Sequence, residues 1–161
     1  MNDPKLLLAE DDEALASLLD EYLQEADYDV TVFRRGDTAL EALKHDHFDL
    51  VLSDIVMPGV DGLTLLRYVA ENSLDTLVLL MTGYSGIEDA LHAVEQGAYD
   101  FVSKPFQLPE IRVRLNNAAR YQRLLRRWKE QTEDDFSTSG ASRPMESVVA
   151  RAYGANAGGR Y

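Results

Sequence analysis

The sequence predicts an α/β domain built on a five-stranded parallel sheet with helices on both faces. Two observations carry this reading. Apolar runs of four to six residues, suited to strands buried on both sides, alternate five times with stretches whose apolar residues recur at three- and four-residue steps. The connections are short, and a parallel pair needs a crossover that returns over the sheet with one hand, so a helix after each strand coats both faces. A length of 161 residues favours one domain over two.

The elements follow in order. Lys5–Ala9 is too brief for a helix and reads as the first strand, and Leu15, Leu18, Leu19, Tyr22 and Leu23 form one face of the helix after it. Asp29–Phe33 is the second strand. Asp37, placed after Gly36 as an N-cap, opens a helix that turns Leu40 and Leu43 inward. Leu50–Ser53 is strand and Leu63–Ala70 helix. Thr76–Met81 is the most apolar run; Ile87, Leu91 and Val94 place a helix after it, closed by Gly97 at the C-cap. Asp100–Ser103 is the fifth strand. Pro109 suits the first residue of a last helix that carries Ile111, Leu115, Ala118, Leu125 and Trp128 on one side. Tyr121 and Leu124 continue the apolar character past the length needed to cover the sheet, which predicts an extended, dimerising helix. Residues 1–125 therefore make the domain and 126–161 a helical extension and loose tail, the composition turning to Ser, Thr, Gly, Ala and Asn beyond Glu133.

Composition excludes several classes. At 45% hydrophobic and 27% charged residues the chain buries an ordinary core and is neither a disordered polyelectrolyte nor a fibre. It has no Cys, which removes disulfides, thiolate metal sites and cysteine nucleophiles and fits a reducing compartment. The apolar runs fall far short of a membrane span and Met1–Pro4 lacks a secretory pattern, so a cytoplasmic protein is expected. Charge is uneven: residues 1–104 hold 22 acidic against 6 basic side chains, and residues 105–161 hold 6 against 10. The basic stretch Arg112–Lys129 reads as a solvated helix face. An acidic body opposes nucleic acid and no helix-turn-helix is legible, so no nucleic-acid contact is expected.

In parallel sheets of this kind ligands bind beyond the C-terminal ends of the strands, where the strand order reverses. Glu10, Asp11 and Asp12 follow the first strand, Asp54 the third, Thr82 and Gly83 the fourth, Lys104 and Pro105 the fifth. Two carboxylates about 4 Å apart repel by about 4 kcal/mol at an effective dielectric near 20, so such an edge calls for a cation. Oxygen donors without His or Cys suit a hard ion, and few carboxylates suit Mg²⁺ better than a Ca²⁺ cage. A carboxylate beside Mg²⁺ can attack phosphorus, while Lys104 and Thr82 can hold phosphoryl oxygens. The parts suggest phosphoryl transfer to Asp54.

Four separated motifs, "LLLAEDDEALASLL", "DLVLSDIVMPGVDGLTLL", "LLMTGYSG" and "GAYDFVSKPF", resemble the receiver domain of bacterial two-component response regulators over about residues 3–125. The resemblance implies a flavodoxin-like (βα)5 receiver fold. It implies that Asp54 is the phosphoacceptor, taking a phosphoryl group from a sensor histidine kinase or phosphotransfer protein to give a 4-aspartylphosphate. Asp11 and Asp54 would ligate Mg²⁺ with the backbone carbonyl of Val56, and Glu10 would act through water. Thr82 and Lys104 would hold the phosphoryl group, Phe101 would turn inward with Thr82 as the switch, and Lys104–Pro105 would be the cis peptide that aims the lysine. Val56 and Tyr84 occupy positions that tune the lifetime of the phosphorylated state in related proteins. Ala9 and Glu10 depart mildly from the family, which more often has a branched apolar residue and Asp there.

A resemblance of "TSGASRPMESVVARAYGANAG" to the opening of the ATPase domain in NtrC-like activators adds that subgroup. The function implied is a phosphorylation-dependent switch, a phosphoacceptor rather than an enzyme, that binds a downstream protein target and pairs as a homodimer through the last helix. Its alternatives are the N-terminal fragment of a transcription activator and a non-phosphorylated receiver-like scaffold. A Mg²⁺-dependent phosphohydrolase is disfavoured because Val56 stands where a second acid would serve as acid/base.

Overall fold

The computed structural model describes residues 2–72, 74–83 and 87–139; Tyr84 and the tail from residue 140 onward lie outside the described residues. Among the described residues five strands alternate with five helices: β1 (Lys5–Ala9), α1 (Glu13–Glu25), β2 (Asp29–Phe33), α2 (Gly36–His45), β3 (Leu50–Asp54), α3 (Gly62–Glu71), β4 (Leu77–Thr82), α4 (Ile87–Glu95), β5 (Asp100–Ser103) and α5 (Leu108–Ser139). All pairings are parallel, in the order β2-β1-β3-β4-β5, so the order reverses at β1.

Successive side chains of a strand point to opposite faces, and both faces of this sheet are covered. Leu6 and Leu8 of β1 join Leu50 and Leu52 of β3 under α1 and α5, where Leu19, Leu23, Ile111 and Leu115 complete one core. Leu7 and Val51 point the other way, against Ala39, Leu43, Leu65 and Ala93 of α2, α3 and α4. Leu6, Leu7 and Leu8 are all fully buried, each stabilising the fold by about 1.5–3 kcal/mol relative to exposure. That is why the run reads as continuous apolar sequence rather than as alternation.

Several sequence expectations are corrected. Asp37 does not cap α2: the helix starts at Gly36 with Arg35 as N-cap, and Arg35 makes no side-chain cap hydrogen bond. A tertiary contact sets this start, since the Gly36 amide donates to the Pro58 carbonyl (2.9 Å) and a Cβ there would lie 1.7 Å from the Val60 carbonyl oxygen. Asp37 pairs instead with Arg35 (3.0 Å). Leu18 is half exposed because α1 turns Ala16, Leu19 and Leu23 to the sheet, and one residue rotates the helix by about 100°. On α4 the buried face is Ala90 and Ala93, small residues that let the helix lie close to the sheet, while Leu91 and Val94 point outward. Gly97 ends that helix as expected, with φ +108°. Trp128 is likewise exposed, not inward. α5 runs to Ser139, past the Glu133 boundary where the composition changes, because no Gly or Pro interrupts it and adding residues to an existing helix costs little.

The chain divides into two compact units, Met1–Arg120 and Tyr121–Tyr161, the second described here only by the remainder of α5. Among the described residues no helix is long and apolar enough to cross a membrane.

Candidate functional site

Strand register assembles the candidate residues along one edge. Ala9 pairs with Ser53, Asp54 with Met81 and Thr82 with Ser103, so Glu10, Asp54, Thr82 and Lys104 stand side by side at the C-terminal ends of β1, β3, β4 and β5. Hydrogen bonds continue one step beyond the strands, Glu10 N–H to the Phe33 carbonyl (3.0 Å), Ile55 N–H to Met81 (3.0 Å) and Lys104 N–H to Thr82 (2.7 Å). The residues that follow the strands therefore start from a rigid frame. The Lys104–Pro105 peptide is cis.

Lys104 lies at the centre. Its Nζ donates to Glu10 Oε1 and to Asp54 Oδ2, both at 2.6 Å. The Glu10 side chain is 1% exposed, that of Asp54 13% and that of Lys104 26%, so the pairs are largely removed from water. The other oxygens are held too: Asp12 N–H donates to Glu10 Oε2 (3.1 Å) and Val56 N–H to Asp54 Oδ1 (3.1 Å). Burial pushes the Glu10 carboxyl above the usual range, opposed by the hydrogen bonds from Lys104 and Asp12. Burial lowers the Lys104 ammonium, but its bonds to Asp54 and Glu10 outweigh that and the net shift is upward. Lys104 is thus a cation throughout the neutral range.

One lysine does not balance the acids. Oxygens of Glu10, Asp11 and Asp54 lie within 4.8 Å of one another. Three carboxylates against one ammonium leave a net negative edge built only of hard oxygen donors, a donor set that fits Mg²⁺. The Glu10 side chain is only 1% exposed, whereas Asp11 is exposed and Asp54 keeps 13% of its side chain open, so Asp11 and Asp54 are the acids best placed to face an ion. Asp12 stands apart: its Oδ1 accepts from Leu15 N–H (3.0 Å) and caps α1.

Thr82 is buried at the end of β4, and its hydroxyl donates to the Gly83 carbonyl (3.1 Å). Phe101, opposite Leu80 in the β4–β5 register, is half-buried against the core under α2, α3 and α4. Val56 is exposed at the rim. His45, His47 and His92 bond to Glu41, Asp75 and Gln96, outside this edge.

Two features escape sequence reading. Arg34 Nη2 donates to the Asp11 carbonyl (2.5 Å), a contact between residues 23 apart that no local pattern marks. Gly62, legible only as a loop glycine, opens α3 directly against the acid: a Cβ there would stand 2.4 Å from the Asp54 carbonyl oxygen. Gly62→Ala is therefore expected to destabilise the fold by about 1–3 kcal/mol, the cost typical of overpacking, measured by urea unfolding.

The sequence profile of the response regulator receiver domain matches residues 6–116. The chain belongs to that family. It is 34% identical over 151 residues to the C4-dicarboxylate transport transcriptional regulatory protein DctD of Rhizobium meliloti, covering 90% of this chain and 33% of the relative. To the transcriptional regulatory protein BaeR of Escherichia coli O6:H1 it is 36% identical, covering 82% and 52%. The DNA-binding transcriptional regulator NtrC of Escherichia coli K12 is 38% identical over 103 residues, covering 64% and 22%. The chain thus spans between about a fifth and a half of the length of these relatives. Among solved structures it resembles the Francisella response regulator 1452 receiver domain (TM-score 0.70, 28% identity, 74% of this chain and 98% of that one). It also resembles NtrX from Brucella abortus (TM-score 0.74, 27% identity, 81% and 30%). The receiver is accordingly a phosphorylation-dependent module of two-component systems, and NtrC-like regulators are among its relatives. Receivers of this family bind Mg²⁺ through acidic residues, and they interact with sensor kinases or phosphotransfer proteins.

Proposed function

We propose that Asp54 is the phosphoacceptor of this receiver and that Glu10, Asp11, Thr82, Lys104 and Phe101 serve its phosphorylation and read-out. The observation that carries this is the placement of the Asp54 carboxylate, 2.6 Å from Lys104 Nζ and inside the same 4.8 Å cluster as Glu10 and Asp11. An Asp54 oxygen attacks the phosphorus of a phosphohistidine; the new P–O bond forms, the P–N bond breaks with its electron pair staying on the ring nitrogen, and the ring, protonated on its other nitrogen by water, leaves as neutral imidazole. Asp11, Asp54 and the Val56 carbonyl are the groups that would hold Mg²⁺, with Glu10 acting through water. The ion supplies charge neutralisation for the phosphoryl oxygens when bound.

The protein's own groups must rearrange. Lys104 leaves Glu10 or Asp54 to pair with the added phosphoryl oxygens, and the Thr82 hydroxyl gives up the Gly83 carbonyl to donate to them. Drawing Thr82 toward the phosphoryl group opens room into which Phe101 turns. The outer surface of α4, β5 and α5 then shifts between two populations of different partner affinity. The chain acts as an acceptor that assists its own phosphorylation and dephosphorylation, in the cytoplasm, where ATP-fed kinases supply phosphohistidine.

The output is read as control of transcription through a longer regulator. The match to DctD covers 90% of the chain and so runs beyond the receiver into the segment after residue 125. Pairing of two copies along α5, where Leu124 is exposed, belongs to the same reading.

Intact mass after incubation with acetyl phosphate tests the switch. One added phosphoryl group with Mg²⁺, and none when the metal is chelated, is the expected result; no uptake with Mg²⁺ from either acetyl phosphate or phosphoramidate would return the chain to a scaffold role.

A further inference from the structure

We propose that Arg34 is a positioning residue for the acidic edge: its guanidinium holds the backbone of Asp11 and so sets the affinity of Asp11 and Asp54 for Mg²⁺. The inference rests on the reading of this edge as a Mg²⁺ site. Three consecutive acids follow β1, and each is anchored differently. Glu10 is buried on Lys104 (2.6 Å), and Asp12 is fixed as the α1 cap through Leu15 N–H (3.0 Å). Asp11 lies between them with its side chain exposed, and its carbonyl accepts from Arg34 Nη2 (2.5 Å).

Arg34 is the first residue past β2, and the neighbouring Phe33 carbonyl accepts the Glu10 amide (3.0 Å). The guanidinium therefore extends the β1–β2 ladder by one further rung, made by a side chain, at the residue whose carboxylate would hold the ion. A charge-assisted bond to a carbonyl fixes both position and orientation of that peptide. Arg35, next in sequence and equal in charge, spends its guanidinium on Asp37 (3.0 and 3.1 Å) and holds α2 instead.

A positioning role and a mere nearby charge predict opposite signs. A cation beside a metal site repels the metal, so if Arg34 were only a charge, removing it would tighten Mg²⁺ binding. If Arg34 orders Asp11, removing it weakens binding, by about tenfold for a group that supports a metal ligand. Isothermal titration calorimetry of Mg²⁺ into the whole chain, with the Mg²⁺-induced rise in Tm as a second readout, decides between them. Arg34→Ala is expected to raise the Mg²⁺ Kd about tenfold with its metal-free Tm unchanged, because the Asp11 carbonyl it releases is open to water. Arg34→Lys should recover most of the affinity, and Arg35→Ala should match wild type. A Kd for Arg34→Ala equal to or tighter than wild type overturns the proposal. Absence of Mg²⁺ binding by wild type itself would overturn the metal-site reading, and this proposal with it.

Discussion

Asp54→Ala is expected to take up no phosphoryl group from any donor, with intact mass unchanged under conditions that add one group to the wild-type chain. The effect is total because the other two acids of the edge are badly placed to accept. Glu10 is closed off from an incoming donor at 1% side-chain exposure, and Asp11 is exposed, whereas Asp54 is 13% exposed and is oriented by the Lys104 ammonium on one oxygen and the Val56 amide on the other. The substitution should leave the fold intact. It removes one of three mutually repelling carboxylates and leaves Lys104 paired with Glu10, so stability should change by about 1 kcal/mol or less, checked by thermal melting without metal. A phosphorylated Asp54→Ala chain would move the acceptor elsewhere on this edge.

Lys104→Met should be the most destabilising single change at the site. It leaves the Glu10 carboxylate, 1% exposed, without its cation. Removing one partner of a buried pair costs about 3–5 kcal/mol; since the Lys104 side chain is 26% exposed, about 2–3 kcal/mol is expected by urea unfolding. Glu10→Gln in the same chain should restore most of the loss, because the uncompensated charge rather than the missing bond carries it. The pH dependence follows from the direction of the Glu10 shift. A carboxyl whose folded pKa lies above its unfolded value binds more protons when folded, so stability falls as pH rises. In Lys104→Met the opposing hydrogen bond is gone, and stability should climb as pH is lowered from neutral through the raised Glu10 value, levelling off near the unfolded value of about 4.3. A Lys104→Met chain as stable as wild type at neutral pH would mean that the pair contributes nothing to the fold.

Most of the fold was legible because both of its periodicities are written locally. Strand runs such as Leu6–Leu8 and helical spacings such as Leu19 and Leu23 follow from which faces are buried, and the strand ends then list Glu10, Asp54, Thr82 and Lys104. Periodicity misleads where a helix has more than one apolar face. Leu91 and Val94 look like a core stripe, yet Ala90 and Ala93 take the sheet, because close approach to a flat surface favours small side chains and a pattern of hydrophobicity does not encode that. Asp37 looks like a cap, yet the packing of Gly36 against Pro58 and Val60 starts the helix earlier.

Sequence alone determined the chemistry available to this protein: an acidic, cysteine-free α/β receiver with carboxylates, a hydroxyl and a lysine after the proper strands. Only the tertiary structure decided how those groups divide their work. Lys104 meets Glu10 across 94 residues and Asp54 across 50, Arg34 reaches Asp11 across 23, and Gly62 abuts the Asp54 backbone. Strand order and register create these contacts. A sequence records a residue's neighbours along the chain, whereas hydrogen bonding and burial depend on neighbours in space.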